Sequence, residues 1–105
     1  MVEMAEAARR FVQGRRRDDL ETDDILAFAL ARALEILGEA ASKVAPETRQ
    51  AVPEIAWTQI IGMRNRLAHA YQEINFNIMW KTATQEVPGL LSALRTALAE
   101  HDPDR

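Results

Sequence analysis

A chain of 105 residues, close to half of them apolar, has room for one modest core and so for one domain, residues 1–105. Its net charge of −3, from 13 basic and 16 acidic residues, excludes a general nucleic-acid coat but leaves room for a local basic groove. The absence of cysteine excludes disulfides and thiolate metal sites; "MVEMAEAARRF" is too charged for a leader, and no run nears the roughly 18 apolar residues of a membrane span, so a soluble, cytoplasmic protein is expected.

The pattern is helical from end to end, rich in Ala and Leu with few β-branched clusters. Met4, Ala7, Ala8, Phe11 and Val12 recur at helical spacing over residues 4–13. Gly14 and the run Arg15-Arg16-Arg17-Asp18-Asp19 then break the period. Thr22 reads as an N-cap, and Asp23 and Asp24 suit the positive end of a helix. A long helix should follow to about Val44, with Leu26, Leu30, Ala33, Leu37, Ala40 and Val44 stepping by four and three. A second stripe, Ile25, Phe28, Ala29 and Ile36, widens its apolar face. So wide a face implies more than one neighbour, and a second copy of the chain is one candidate.

Ala45-Pro46 opens a short helical piece that Pro53 closes. Another helix should run from Ala56 or Trp57 into the stretch "GMRNRLAHAYQEIN". Residues 72–75 read as a turn with Asn75 as the next cap. A helix through Phe76, Met79, Trp80 and Ala83 is expected to kink or restart at Pro88-Gly89, and Leu90, Leu91, Leu94 and Leu98 form the last apolar face. Trp57 and Trp80 read as core residues, and the tail "EHDPDR" as frayed. The fold class is all-α, an antiparallel helical bundle.

The chain's rarest polar side chains gather between Arg64 and Tyr71: one of its two histidines and its single tyrosine, with Arg64, Asn65 and Arg66. Arg64, His69 and Tyr71 fit R-x4-H-x-Y. An imidazole exchanges protons near neutral pH, and a guanidinium holds phosphate and stabilises charge that grows on it. RNA carries its own nucleophile, the ribose 2′-OH, so a base, an acid and a cation suffice for cleavage without a metal or cofactor. The products would be a cyclic phosphate and a free 5′-OH.

Residues five apart on a helix differ by about 140° in direction, so Arg64 and His69 do not share a face, whereas Asn65 and His69 do. Either the helix unwinds near His69, or Arg64 wraps round, or two copies of the motif meet across a two-fold axis. The last two together are preferred, because a small helical domain offers little concavity alone. The looser pattern also occurs at Arg95 and His101, without a following tyrosine, and is accidental there. Blander readings stand beside these. His69 reads also as a helix-end cap, Tyr71 as an amphipathic edge residue, and Arg15–Arg17 as a solvated run rather than a guide for RNA.

"RNRLAHAY" resembles the motif of the HepT-like toxins, a branch of the HEPN ribonuclease superfamily. "EILGEAAS", "VPEIAWTQIIGMRNRLAHAY", "IMWKTATQEVPGLLSAL" and "EMAEAARRF" are similar to further family blocks in the same order, over about residues 3–95. The resemblance implies a homodimeric bundle of about five helices with both motifs facing one cleft. It implies a metal-independent endoribonuclease acting as a toxin on RNA. It also implies an MNT-type nucleotidyltransferase antitoxin that transfers AMP to the motif tyrosine. Carried over by residue, Arg64 and His69 are the catalytic pair, Asn65 orients His69 or the phosphate, and Tyr71 is the AMPylation site. Glu39 is a possible support that reaches the same centre and holds an arginine; it reads also as a purely structural carboxylate. Ala56 and Asn75 depart from the family's usual proline and aspartate. The alternative function is a non-catalytic helical docking partner of a nucleotidyltransferase.

Overall fold

The structure, a computed structural model, describes residues 1–68 and 76–100, with side chains described for 1–62 and 76–97. Among the described residues every regular element is helical: α1 (Val2–Val12), α2 (Asp19–Thr22), α3 (Asp24–Ser42), α4 (Pro46–Ala51), α5 (Trp57–Ala68), α6 (Phe76–Lys81), a π-helical turn (Thr82–Glu86) and α7 (Val87–Glu100). The all-α expectation is met. α3 is the central element, packed against both α1 and α5, while α1 also packs against α7.

α1 ends where Gly14 takes a positive φ of 73°, a conformation open to glycine at little cost. The expected cap of α3 is displaced by one residue. Thr22 closes the short helix α2, and Asp23, in extended backbone, caps α3 by accepting a hydrogen bond from the Leu26 amide at 3.1 Å. Aspartate is as good a cap as threonine, and α2 uses Thr22 first. α3 then stops at Ser42, slightly before Val44.

In the first stripe of α3, Leu26, Leu30, Ala33 and Leu37 are buried, Ala40 and Val44 are half-buried, and Leu34 and Ala41 are buried beside them. The buried ones meet Ala5, Ala8 and Val12 of α1, Ile60 of α5, Met79 of α6 and Val87, Leu90, Leu91 and Leu94 of α7 in one core. Each fully buried leucine contributes about 2 kcal/mol by area removed from water. The second stripe is different. Ile25 is 82% exposed and Phe28 66% exposed, and both point away from that core.

The disturbance expected at Pro88-Gly89 takes the form of a π turn, after which α7 starts at Val87. The Val87 amide bonds to the Thr82 carbonyl, five residues back, in a π turn immediately before the proline. Pro88 has no N–H and its ring crowds the carbonyl four residues earlier; a widened turn accommodates both. The hydroxyls of Thr82 and Thr84 donate to the carbonyls of Ile78 and Trp80 at 2.7 Å, satisfying acceptors inside this run.

Candidate functional site

α5 carries Arg64 and Asn65, and its start is held firmly. Pro46 occupies the first turn of α4, as its fixed φ favours. After Val52 the chain turns, and the Trp57 indole N–H donates to the Val52 carbonyl at 2.9 Å. Trp57 and Trp80 both pack against the core, yet each is only partly buried. For Trp57 that indole bond is a use of the ring beyond filling space. Ile55 and Ile60 are buried on either side, and α5 lies along α3. The helix therefore leaves a fixed anchor and reaches Ala68 without a break.

The backbone of Arg64 and Asn65 thus belongs to α5; their side chains, and all of His69, Tyr71 and the expected Asn75 cap, lie outside the described residues. The tail from His101 lies outside them too.

Glu39 sits on α3, partly exposed. Among the described residues its ion-pair partner is Lys43, one turn on, at 3.7 Å with both side chains substantially exposed. Such a pair contributes little, about 0.3–0.5 kcal/mol at most. The Ser42 hydroxyl donates to the Glu39 carbonyl at 2.6 Å, closing the end of the helix.

The basic run has a structural use. Arg15 pairs with Asp23 at 3.4 Å. Arg17 pairs with Glu21 at 2.9 Å and Asp18 at 3.1 Å, and its Nε donates to Asn77 Oδ1 at 2.7 Å. Its hydrogen bonds to Glu21 and then Asp18 raise the guanidinium pKa. The Arg16 amide donates to the Asp19 carboxylate at 2.8 Å. The corner between α1 and α3 is thereby braced by its own carboxylates and tied to the first turn of α6. Sequence reasoning missed the Arg17–Asn77 bond, and no periodic signal points to it: the partners are 60 positions apart. Arg95 is likewise engaged, donating to Glu6 at 2.7 Å between α7 and α1. That ion pair is a structural use for Arg95.

Among the described residues no three His, Cys, Asp or Glu side chains cluster as metal ligands, and no helix is long and apolar enough to cross a membrane.

Comparison with known proteins adds identity to this geometry. The sequence model of one family, ribonuclease HepT-like, matches residues 1–97. An inferred RNase of Caldanaerobacter subterraneus subsp. tengcongensis is 36% identical over 83% of this chain and 78% of its own length. An inferred ribonuclease HepT of Thermococcus cleftensis is 37% identical over 70% of this chain and 66% of its own. An inferred RNase of Methanocaldococcus jannaschii is 36% identical over 61% of this chain and 59% of its own. The chain therefore spans more than three quarters of the first relative and less than two thirds of the other two. No solved structure matches it significantly.

Proposed function

The chain belongs to the ribonuclease HepT-like family and is a ribonuclease by that membership, and from this premise we propose that it is a metal-independent endoribonuclease, the toxin of a toxin–antitoxin pair, with Arg64 and His69 at its reaction centre. One observation carries the reading: R-x4-H-x-Y lies inside the matched residues, and its arginine is borne by α5, the helix anchored through Trp57 and packed on α3.

The chemistry is an in-line transesterification. The ribose 2′-oxygen bonds to the adjacent phosphorus as its proton passes to an imidazole. The bond from phosphorus to the 5′-oxygen breaks, and that oxygen takes a proton. A 2′,3′-cyclic phosphate and a 5′-OH result, with atoms and charge conserved. Arg64 stabilises the charge that accumulates on the non-bridging oxygens. Asn65 orients His69 or the phosphate. One imidazole cannot be base and acid in the same instant. A homodimer that presents two motifs to one cleft supplies both, His69 of one copy and the partner's His69. Glu39 is left with a supporting role at most.

Regulation follows from Tyr71. An MNT-type nucleotidyltransferase would transfer AMP from ATP to the Tyr71 hydroxyl, releasing pyrophosphate. The added anion would crowd and repel RNA phosphate beside His69. The setting is the cytoplasm, where RNA and ATP both occur.

Incubation of RNA with the full chain in excess EDTA tests the catalytic part. Cleavage that persists under chelation and is lost in His69→Ala is expected; cleavage abolished by EDTA overturns it. Co-expression with the nucleotidyltransferase tests regulation: AMP mass should appear on the chain and be absent from Tyr71→Phe. Mass that stays in Tyr71→Phe moves the modification elsewhere.

A further inference from the structure

Arg9 and Arg10 stand in the last turn of α1, both exposed, and neither guanidinium has a hydrogen-bond or ion-pair partner among the described residues. With Gln13 they form one wall of a shallow groove of about 310 Å³ between α1 and α7, which Glu6, Leu91 and Arg95 complete. Among the described residues that line it, Glu6 is the one carboxylate, and Arg95 holds it at 2.7 Å. Three guanidiniums against one carboxylate leave the groove with two positive charges unmet. The negative end of a helix draws an exposed cation by about 0.3–1 kcal/mol, which accounts for arginine at the end of α1. It does not account for Arg95, which comes to the same groove from α7.

Neighbouring residues on a helix differ by about 100° in direction, so Arg9 and Arg10 spread their charge along the groove rather than onto one point. Forked donors spread in this way suit a chain of phosphates better than a single anion. Arg10 and Gln13 also line the adjoining groove between α1 and α3, where Arg15 stands. Asp23 in that groove is engaged by Arg15 and by the Leu26 amide, so it does not offset Arg10. The motif is not far from this end of α1. α5 stops at Ala68, α6 begins at Phe76, and Asn77 in its first turn accepts the 2.7 Å bond from Arg17. The chain thus passes from the motif into α6 beside Arg17, and Gln13 is four residues from Arg17, at most about 14 Å away.

We propose that Arg9, Arg10 and Arg95 form a second contact for the RNA backbone, apart from the motif, which holds a flanking stretch of the strand while one linkage is cut. The inference rests on the ribonuclease reading for its ligand, but not on Arg64 or His69 performing the chemistry. Glu6 sets the strength of the site. While it holds Arg95, that guanidinium is partly spent, and a phosphate entering the groove competes with an exposed ion pair that opens at little cost. The site reads no base sequence, because backbone phosphates carry none. It selects for length instead: a strand too short to reach both the groove and the motif forfeits the contact.

Fluorescence anisotropy of a labelled single-stranded RNA, long enough to span both places, tests it on the full chain carrying His69→Ala, which keeps the strand intact. In that background Arg9→Gln with Arg10→Gln should raise Kd about tenfold and make the slope of log Kd against log salt shallower by about 1.4, two contacts at about 0.7 each. Both side chains are exposed, so helical circular dichroism should not change. Glu6→Gln, which frees Arg95, should move Kd the other way by severalfold. In the cleaving protein the double variant should raise KM for the long strand without lowering kcat, and the ratio of kcat/KM for that strand to kcat/KM for a dinucleotide should fall about tenfold. An unchanged Kd and salt slope in the double variant overturns the proposal, as does weaker binding in Glu6→Gln or an equal loss on the dinucleotide. RNA binding that follows these expectations in a protein that never cleaves supports this surface and sinks the catalytic reading, so the two fail separately.

Discussion

Two arginine clusters in this chain differ in their company. Arg15, Arg16 and Arg17 are followed within eight residues by Asp18, Asp19, Glu21, Asp23 and Asp24, and two of the three guanidiniums form ion pairs with that set. Arg64 and Arg66 stand in a stretch with no carboxylate between Glu54 and Glu73. A guanidinium that finds a carboxylate nearby is spent on local structure. The proposed role of Arg64, whose helix offers it no carboxylate of its own, is to present its forked donors to an anion brought from outside, and a phosphodiester fits that fork. The denser basic run has a structural use in the ion pairs of Arg15 and Arg17.

The contrast can be broken or sharpened by substitution. The largest effect is expected on the motif side: His69→Ala should lower RNA cleavage by about 10²–10⁴-fold, measured as initial rate on a labelled strand. Arg64→Ala should cost about 10²–10³-fold, and Arg64→Lys should recover only part, because an ammonium cannot reproduce the forked contact. An Arg64→Ala enzyme of wild-type rate would erase the distinction between the clusters. On the structural side, Asp23→Ala removes the α3 cap and the partner of Arg15 together; about 1 kcal/mol of stability should be lost in urea unfolding, with the cleavage rate unchanged. The smallest effect belongs to Arg17→Ala. It should lower the melting temperature slightly and leave the cleavage rate within about twofold, since exposed pairs contribute little. A large loss of rate in Arg17→Ala, with folding intact, would place the basic run in the RNA path after all.

Much of the fold was legible because its signals are local. Pro46 begins α4 and Trp57 begins α5 as expected, and the four-and-three stepping of Leu26, Leu30, Ala33 and Leu37 marks the buried side of α3. What failed was decided by competition or distance. Thr22 and Asp23 are both good caps, and the choice of Asp23 follows from a four-residue helix too short to leave a clear period. The disturbance that Pro88 announces is present, and only its form, a π turn before α7, was not legible from the missing N–H. Of the candidate site, motif and chemistry are read from residue type and spacing, while the anchoring of its helix through Trp57 and Val52 came only with the structure.

The sequence by itself determined that the chain is helical, where its core stripe runs, and which imidazole and guanidinium stand together in the motif; periodicity and side-chain chemistry are properties of neighbours in the chain. Only the tertiary structure decided that Arg17 reaches Asn77, that Arg95 holds Glu6, and that of two apolar stripes on one helix the first is buried and Ile25 and Phe28 are not. The reason is that a helix can be apolar on two sides, and only the packing of α1, α5 and α6 around it selects the side that faces inward.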